Sequence, residues 1–290
     1  MRIVNVENRL CLEVSEGVID VEHASGGVFS SDPQAVYERW EEFVSWADGY
    51  SGGPTAILPE PGDSRLGPPV PRPPQVFAIG LNYRDHVAES GLVAADVPMV
   101  FTKFPACITG PYACVEVPPG TVDYEAELVA VIGRRAWRVP ATDAWAYVAG
   151  LTVGQDISER DMQAGPPEPQ QFNLAKSFAG FGPIGPRLVT PDELADPDDL
   201  AIGCSLDGVE MQSSRTGKMI FSVPALVEYL SSVVPLLPGD LIFTSTPSGV
   251  GWTRKPPQLL RPGVDLLTWV EGIGELRNTF VAAGEDVTPE

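Results

Sequence analysis

Positive charge is scarce in this sequence. The 290 residues include 19 lysines and arginines against 39 aspartates and glutamates, which gives a formal net charge of −20. Nucleic acids and anionic membrane surfaces are therefore poor partners, because they carry charge of the same sign. An anionic small-molecule substrate would need local cations or a metal ion to overcome this field.

Long apolar runs and a targeting signal are also lacking. No apolar run approaches the roughly 18 residues that a membrane-spanning helix needs, and the N-terminus lacks the apolar core of a signal peptide. The four cysteines form no C-x-x-C pair, which is typical of a reducing compartment. We therefore expect a soluble, cytoplasmic protein with no membrane partner.

Glycine and proline, in contrast, are abundant. The chain has 29 glycines and 30 prolines, about a fifth of all residues, whereas average usage is roughly 12%. Because both residues interrupt long helices, this composition favours an α+β fold that is mainly β. A proline-rich stretch at 58–74 is typical of a stiff linker. We predict a small N-terminal α+β domain with this linker at 1–70 and a larger domain at 71–290.

One predicted strand, at 122–133, carries two glutamates among apolar residues. Side chains alternate between the two faces of a strand, so Glu125 and Glu127 point the same way. Both faces are otherwise apolar, which indicates a strand buried on both sides. Two carboxylates there must share a proton, meet cations or bind a metal. The alternative is an edge strand whose glutamates face water.

A third carboxylate, Asp156, ends the next predicted strand. Carboxylate oxygens from Glu125, Glu127 and Asp156 would suit Mg²⁺, Mn²⁺ or Ca²⁺. The cluster contains no cysteine or histidine, which argues against zinc. Such an open metal site could polarise a carbonyl group or stabilise an enolate.

His86 is one of only two histidines, and Glu89 lies three residues later on the same face of a predicted short helix. Such a pair could activate water, with Glu89 orienting or charging the imidazole. The alternative is a surface histidine without a chemical role.

Several further polar side chains could bind an anion. Lys176 stands among apolar residues and could neutralise an oxyanion, although a surface lysine of this kind is common. Thr246 precedes a Pro-Ser-Gly turn and could offer hydroxyl and backbone donors, or could simply belong to the turn. Further candidate cations, each with a structural alternative, are Arg84, Lys103 and Arg160.

Five motifs in this order resemble those of the fumarylacetoacetate hydrolase family. The resemblance runs from about residue 74 to 282, and its motifs are GLNYRDH at 80–86, DYEAEL at 123–128, DISERDMQ at 156–163, AKSF at 175–178 and TSTPSGVG at 244–251. Four residues, at three places in the sequence, depart from the family pattern. Ala179-Gly180 stands where Asp-Thr is frequent, Gln155 replaces a frequent asparagine, and Ser245 replaces the usual glycine.

The resemblance implies a mixed β-sandwich roll with a small N-terminal domain, usually assembled as a homodimer. It implies Mg²⁺ or Mn²⁺ on Glu125, Glu127 and Asp156. It assigns catalytic roles to His86 and Glu89, on a mobile lid segment, and to Lys176. The residues implied in binding a 2-oxo acid are Gln163, Thr246 and Arg160.

The activity implied first is hydrolysis of a carbon–carbon bond in a 2,4-dioxo acid, such as an acylpyruvate or fumarylpyruvate, through a metal-bound enolate. This would place the protein in aromatic catabolism. The alternative is an isomerase, tautomerase or decarboxylase acting on oxaloacetate or on unsaturated 2-oxo diacids, because these reactions need the same enolate. A third hypothesis is a metal-binding relative without activity.

Overall fold

The computed structural model describes residues 1–91, 93, 95–165 and 170–284. Strands make up 34% of the structure and helices 23%, so the predicted α+β, mainly β class is confirmed. Within these described ranges, no helix is both long enough and apolar enough to cross a lipid bilayer.

The strands and helices are numbered in chain order. The strands are β1 (Arg2–Val6), β2 (Arg9–Val14), β3 (Gly17–Asp20), β4 (Leu66–Gly67), β5 (Val76–Gly80), β6 (Met99–Thr102), β7 (Ile108–Thr109), β8 (Cys114–Val117), β9 (Val122–Asp123), β10 (Ala126–Ile132), β11 (Val148–Gln155), β12 (Ser158–Glu159), β13 (Gly182–Val189), β14 (Ala201–Leu206), β15 (Val209–Arg215), β16 (Leu241–Phe243), β17 (Asp265–Val270) and β18 (Gly274–Ala282). The α-helices are α1 (Val21–Ala24), α2 (Trp40–Gly49), α3 (Arg84–Glu89), α4 (Arg160–Ala164), α5 (Phe172–Ala175) and α6 (Val223–Val233).

A large mixed sheet crosses the molecule in the order β3-β2-β1-β13-β11-β10-β16-β5-β6, with β4 beside β1 and β7 beside β13. The N-terminal strands therefore continue the sheet that contains β10 and β11. Residues on both sides of position 70, where we predicted a domain boundary, share this sheet. The division into two domains stays a prediction.

A second sheet, in the order β15-β14-β17-β18-β8, covers one face of the large sheet. The core between them joins Leu128 and Ala130 of β10 to Leu266 of β17 and Leu226 of α6. On the other face of the large sheet, Val129 and Val131 share a core with α2 and the strands of the N-terminal segment. Apolar residues on both faces of β10 are therefore buried, as the sequence predicted.

The predicted strand at 122–133 is interrupted beside Glu125. Strands β9 and β10 are separated by Tyr124 and Glu125, whose backbone N–H groups are bound by side chains instead of a neighbouring strand. Asp123 accepts from the Tyr124 N–H at 2.9 Å, and the Gln155 side chain accepts from the Glu125 N–H at 2.8 Å. The break leaves Glu125 outside the regular strand at the start of β10.

Candidate active site

Three carboxylates meet where β10 and β11 run side by side. Ala126 pairs with Gln155 in this antiparallel ladder, which places Asp156, just after β11, beside Glu125. One oxygen each from Glu125, Glu127 and Asp156 lies within 4.8 Å of the others, and all three residues are buried. Oxygens that share one ion at roughly 2.0–2.6 Å are separated by at most about 5 Å, so this donor set fits a hard divalent cation.

Lys176 contacts two of these carboxylates directly. Its Nζ donates to Glu125 Oε2 at 2.7 Å and Asp156 Oδ2 at 2.6 Å, and its third donor reaches Ser158 Oγ at 2.7 Å. Lys176 is only 2% exposed, so its positive charge is buried with these carboxylates. Lys176, which we predicted to neutralise an oxyanion, therefore lies next to the carboxylate cluster.

A second buried lysine supports the other side of Asp156. Lys103 Nζ donates to Asp156 Oδ1 at 2.7 Å, to the Phe181 carbonyl at 3.1 Å and to the backbone carbonyl of Lys176. Each oxygen of Asp156 thus has its own lysine. Lys103 fixes both Asp156 and the backbone that carries Lys176.

Arg160 lies between Glu125 and a further buried carboxylate, Asp123. Its Nη1 is 2.6 Å from Glu125 Oε1 and donates to Gln163 Oε1 at 2.8 Å. Its Nε and Nη2 both donate to Asp123 Oδ2, at 3.0 and 2.8 Å. Asp123 in turn accepts from the backbone N–H groups of Gly251 and Trp252.

The two glutamates differ in their affinity for a proton. Burial penalises the charged form of Glu125, but Lys176 and Arg160 outweigh this penalty and hold its pKa well below the ordinary value. Burial together with the charges of Asp156 and Glu125 raises the pKa of Glu127 well above the ordinary value. Without a further cation, the cluster therefore favours one protonated carboxyl group, as closely spaced carboxylates generally do.

The predicted His–Glu pair forms on α3. His86 Nδ1 lies 3.3 Å from Glu89 Oε2. Glu89 also accepts from the Gly249 N–H at 3.1 Å and from the Thr253 hydroxyl at 2.8 Å. Although burial opposes ionisation, these hydrogen bonds lower the pKa of Glu89, so the carboxylate can orient the imidazole. Because Nδ1 faces Glu89, Nε2 is the nitrogen left for proton transfer.

A cavity of about 450 Å³ is lined by several of these groups. Its polar lining residues include Glu125, Lys176, Arg160, Gln163 and His86. Its apolar lining residues include Ile79, Leu81, Met99, Phe101, Phe172 and Trp252. Such a cavity can enclose a small anionic ligand and exclude water from it.

Thr246 is placed differently from the other predicted site residues. Its side chain is buried, and its hydroxyl accepts from Gln212 Nε2 at 2.7 Å. The neighbouring Ser245, rather than Thr246, is among the residues that line the cavity. The role in substrate binding that we predicted for Thr246 stays a prediction.

The family assignment rests on comparison with known proteins. The family model for the C-terminal part of fumarylacetoacetate hydrolase matches residues 75–281. The chain belongs to the fumarylacetoacetate hydrolase family.

Relatives of this family member carry names of different enzymes. The bovine mitochondrial oxaloacetate tautomerase FAHD2A is 45% identical over 215 residues, which cover 73% of this chain and 68% of the relative. A crystal structure of a putative HpcE protein from Mycobacterium smegmatis is 51% identical, with a TM-score of 0.89 and coverage of 98% of this chain and 100% of that one. A probable 2-hydroxyhepta-2,4-diene-1,7-dioate isomerase from Mycobacterium abscessus is 27% identical, with a TM-score of 0.81 over 98% and 99% of the two chains.

The fold of this family member also positions polar residues to which the sequence analysis gave no role. Asp123 orients Arg160, and Gln212 connects Thr246 to the backbone N–H of Ala126 at the start of β10. Asn82 is fully buried, and its amide donates to the carbonyls of Phe221 and Thr244. The motif around residue 82 was visible in the sequence, but the partners of Asn82 are 139 and 162 positions away and give no local signal.

Proposed function

We propose that the protein is a metal-dependent enzyme that moves a proton between the keto and enol forms of a 2-oxo acid such as oxaloacetate. The observation that carries the proposal is that Glu125 of the carboxylate cluster and His86 of the His86–Glu89 pair line the same cavity. The relatives named as a tautomerase and an isomerase support this reaction class.

Glu125, Glu127 and Asp156 would hold the divalent cation. When bound, this cation would supply a Lewis acid that polarises the carbonyl of the 2-oxo acid. Counted with Asp123, the site has four carboxyl groups against the three cations Lys103, Lys176 and Arg160. With Glu89 counted as a fifth carboxylate, a divalent charge would bring the sum of these ionised groups to zero, whereas without the cation the sum would be negative, so the cation would favour an anionic substrate.

The side chains can perform the proton transfer. His86 Nε2 accepts the proton from the carbon next to the 2-oxo group, and the electron pair of that C–H bond becomes part of the enolate. Glu89 stabilises the imidazolium that forms. Lys176 lines the cavity and could donate a hydrogen bond to the enolate oxygen once one of its N–H groups leaves Glu125, Asp156 or Ser158. Return of the proton to that oxygen completes the enol.

Hydrolysis of a 2,4-dioxo acid is the second candidate. It is favoured by the His86–Glu89 pair, because the same imidazole could instead take a proton from water. The two candidates share the metal ligands and differ in what His86 deprotonates.

A panel of 2-oxo acids tests the proposal. The protein loaded with Mg²⁺ or Mn²⁺ should accelerate the keto–enol interconversion of oxaloacetate, followed by ultraviolet absorbance, and chelation should abolish the rate reversibly. His86→Gln should lower it by about 10²- to 10⁴-fold, the usual contribution of a general base.

The matched control is His23→Gln, because His23 is exposed and lies in the N-terminal helix α1. This variant should keep the wild-type rate. A His86→Gln protein that retains full tautomerase activity would refute the role of His86. Cleavage of acylpyruvates without tautomerase activity would favour the second candidate.

A further inference from the structure

Ser245 has an unusual backbone conformation for a serine. It follows β16, and its φ of 92° lies in the region that favours glycine. Glycine is also the residue that the family motif usually has at this position. Non-glycine residues held in such conformations cost stability and cluster at functional sites. We therefore expect the serine side chain to make a favourable interaction that glycine cannot make.

The backbone and side chain of Ser245 connect two parts of the site. Its N–H donates to Glu127 Oε2 at 2.8 Å, which glycine could also do. Its hydroxyl oxygen accepts from the Asn82 N–H at 3.1 Å, which glycine could not do. Asn82 precedes α3, so Ser245 braces the segment that leads to His86 against the residue that contacts Glu127.

The hydroxyl group of Ser245 can still donate a hydrogen bond. Among the residues that the structure describes, none accepts a hydrogen bond from Ser245 Oγ, although the residue is only 2% exposed. Ser245 lines the same cavity as Glu125, Lys176 and His86. A buried donor without an acceptor is costly, so an oxygen of a ligand in this cavity would complete its hydrogen bonding.

We propose that Ser245 binds the substrate directly, with its O–H donating to a carboxylate or enolate oxygen of the 2-oxo acid. This inference rests on the proposed function. The proposed site would then contain the Ser245 hydroxyl donor beside the metal ligands and the predicted anion-binding residues. A family member with glycine at this position lacks this donor.

Binding of oxalate tests the inference, because oxalate has the O–C–C–O arrangement of a 2-oxo acid and no proton to transfer. Its dissociation constant would be measured by calorimetry in saturating Mg²⁺ for the wild type, Ser245→Ala and Ser245→Gly. A hydrogen bond to a charged group typically contributes about 1.5–3 kcal/mol, so both variants should bind oxalate roughly ten- to a hundredfold more weakly.

Two comparisons make the result specific. Ser232→Ala removes an exposed hydroxyl from α6 and should leave the dissociation constant unchanged within about twofold. Ser245→Gly should unfold at a higher temperature than Ser245→Ala, because glycine adopts the observed φ without strain. Glycine is the usual family residue at this position, so this variant is expected to fold.

The inference is overturned if Ser245→Ala binds oxalate as tightly as the wild type, since the hydroxyl would then only brace Asn82. It is also overturned if Ser245→Gly keeps wild-type affinity while Ser245→Ala loses it, because backbone strain would then explain the loss. A wild-type protein that binds neither Mg²⁺ nor oxalate would instead refute the proposed function, and the inference with it.

Discussion

Lys176 contacts two of the carboxylates that would hold a divalent cation. The ammonium contacts Glu125 Oε2 and Asp156 Oδ2, two of the three carboxylates that form the cluster. A cation held by Glu125 and Asp156 would compete with Lys176 for these carboxylates, and an ammonium released in this way would be available to the substrate. This exchange would explain why a buried lysine stands so close to residues that would hold a metal.

Replacing Lys176 by methionine should separate metal binding from catalysis. Lys176→Met should bind Mn²⁺ about tenfold more tightly or better, because a competing positive charge is removed from the ligand oxygens. Turnover should fall by about 10²- to 10³-fold, because a donor to the developing oxyanion is lost.

Titration of Mn²⁺ followed by electron paramagnetic resonance measures the affinity, and steady-state rates measure the turnover. Lys218→Met, which removes an exposed lysine, should change neither quantity. Unchanged or weaker Mn²⁺ binding by Lys176→Met would show that the ammonium does not compete with the cation.

At the scale of residues, the sequence predicted which chemical groups form the candidate site better than it predicted which residues contact one another. The spacing of Glu125 and Glu127, with Asp156 at the end of the next strand, was sufficient to predict a carboxylate cluster. The lysine pair on Asp156 was not predictable, because Lys103 is 53 positions away in the chain and Lys176 is 20. Such pairs depend on how strands are ordered in the sheet, which local patterns do not determine.

At the scale of elements, α3 is a short helix that carries the proposed catalytic pair and is anchored by Glu89. Helices of one or two turns are marginal alone, and α3 spans only Arg84–Glu89. Glu89 connects it to the loop after β16 through Gly249 and Thr253. The mobility that the family resemblance implies for this segment stays a prediction, and these hydrogen bonds would have to break during such a movement.

Glu89→Gln should lower kcat by about 10- to 100-fold while leaving the dissociation constant of oxalate within about threefold of the wild type. The amide has the size of the carboxylate but cannot stabilise an imidazolium, and Glu89 does not line the cavity. Steady-state kinetics and oxalate calorimetry measure the two effects.

Glu16→Gln, in an exposed turn, serves as the control and should match the wild type. An equal loss of oxalate affinity and of kcat in Glu89→Gln would indicate that Glu89 mainly shapes the binding site.

The elements themselves were predicted unevenly. Turn residues and apolar periodicity in the sequence indicate the hairpin that turns at Asp207-Gly208, helix α6 and the closing strands β17 and β18. Strand β13 was missed, because Pro183 and Pro186 are unusual inside a sheet and mask its apolar pattern. The continuity of the N-terminal strands with the large sheet was also hidden, since their partner β13 is far away in the sequence.

At the scale of the whole molecule, a buried carboxyl group remote from the cluster makes stability depend on pH. Asp240 is fully buried immediately before β16 and accepts from the backbone and side chain of Gln75 and from the Leu237 N–H. Burial raises the pKa of Asp240 from 3.8 to about 6. The folded state therefore binds this proton more tightly than the unfolded state does.

The contribution of Asp240 to the free energy of unfolding should decrease as the pH rises from about 4 to about 6, with a total change of roughly 2–3 kcal/mol. Asp240→Asn removes the titrating group. The stability of the wild type relative to this variant should therefore fall by that amount across the window. Urea unfolding of both proteins at several pH values measures the difference, and a difference that is independent of pH would contradict the prediction.

The position of β1 has a consequence for anyone who shortens the chain. The segment before residue 71 includes β1, which lies between β2 and β13, so cutting it away removes an internal strand of the large sheet and not an appendage. The side of β13 that pairs with Arg2–Val4 would then present unpaired backbone groups, which is how open sheet edges recruit other chains. A fragment chosen to match the family model alone would therefore be prone to aggregation, although it contains every proposed metal ligand.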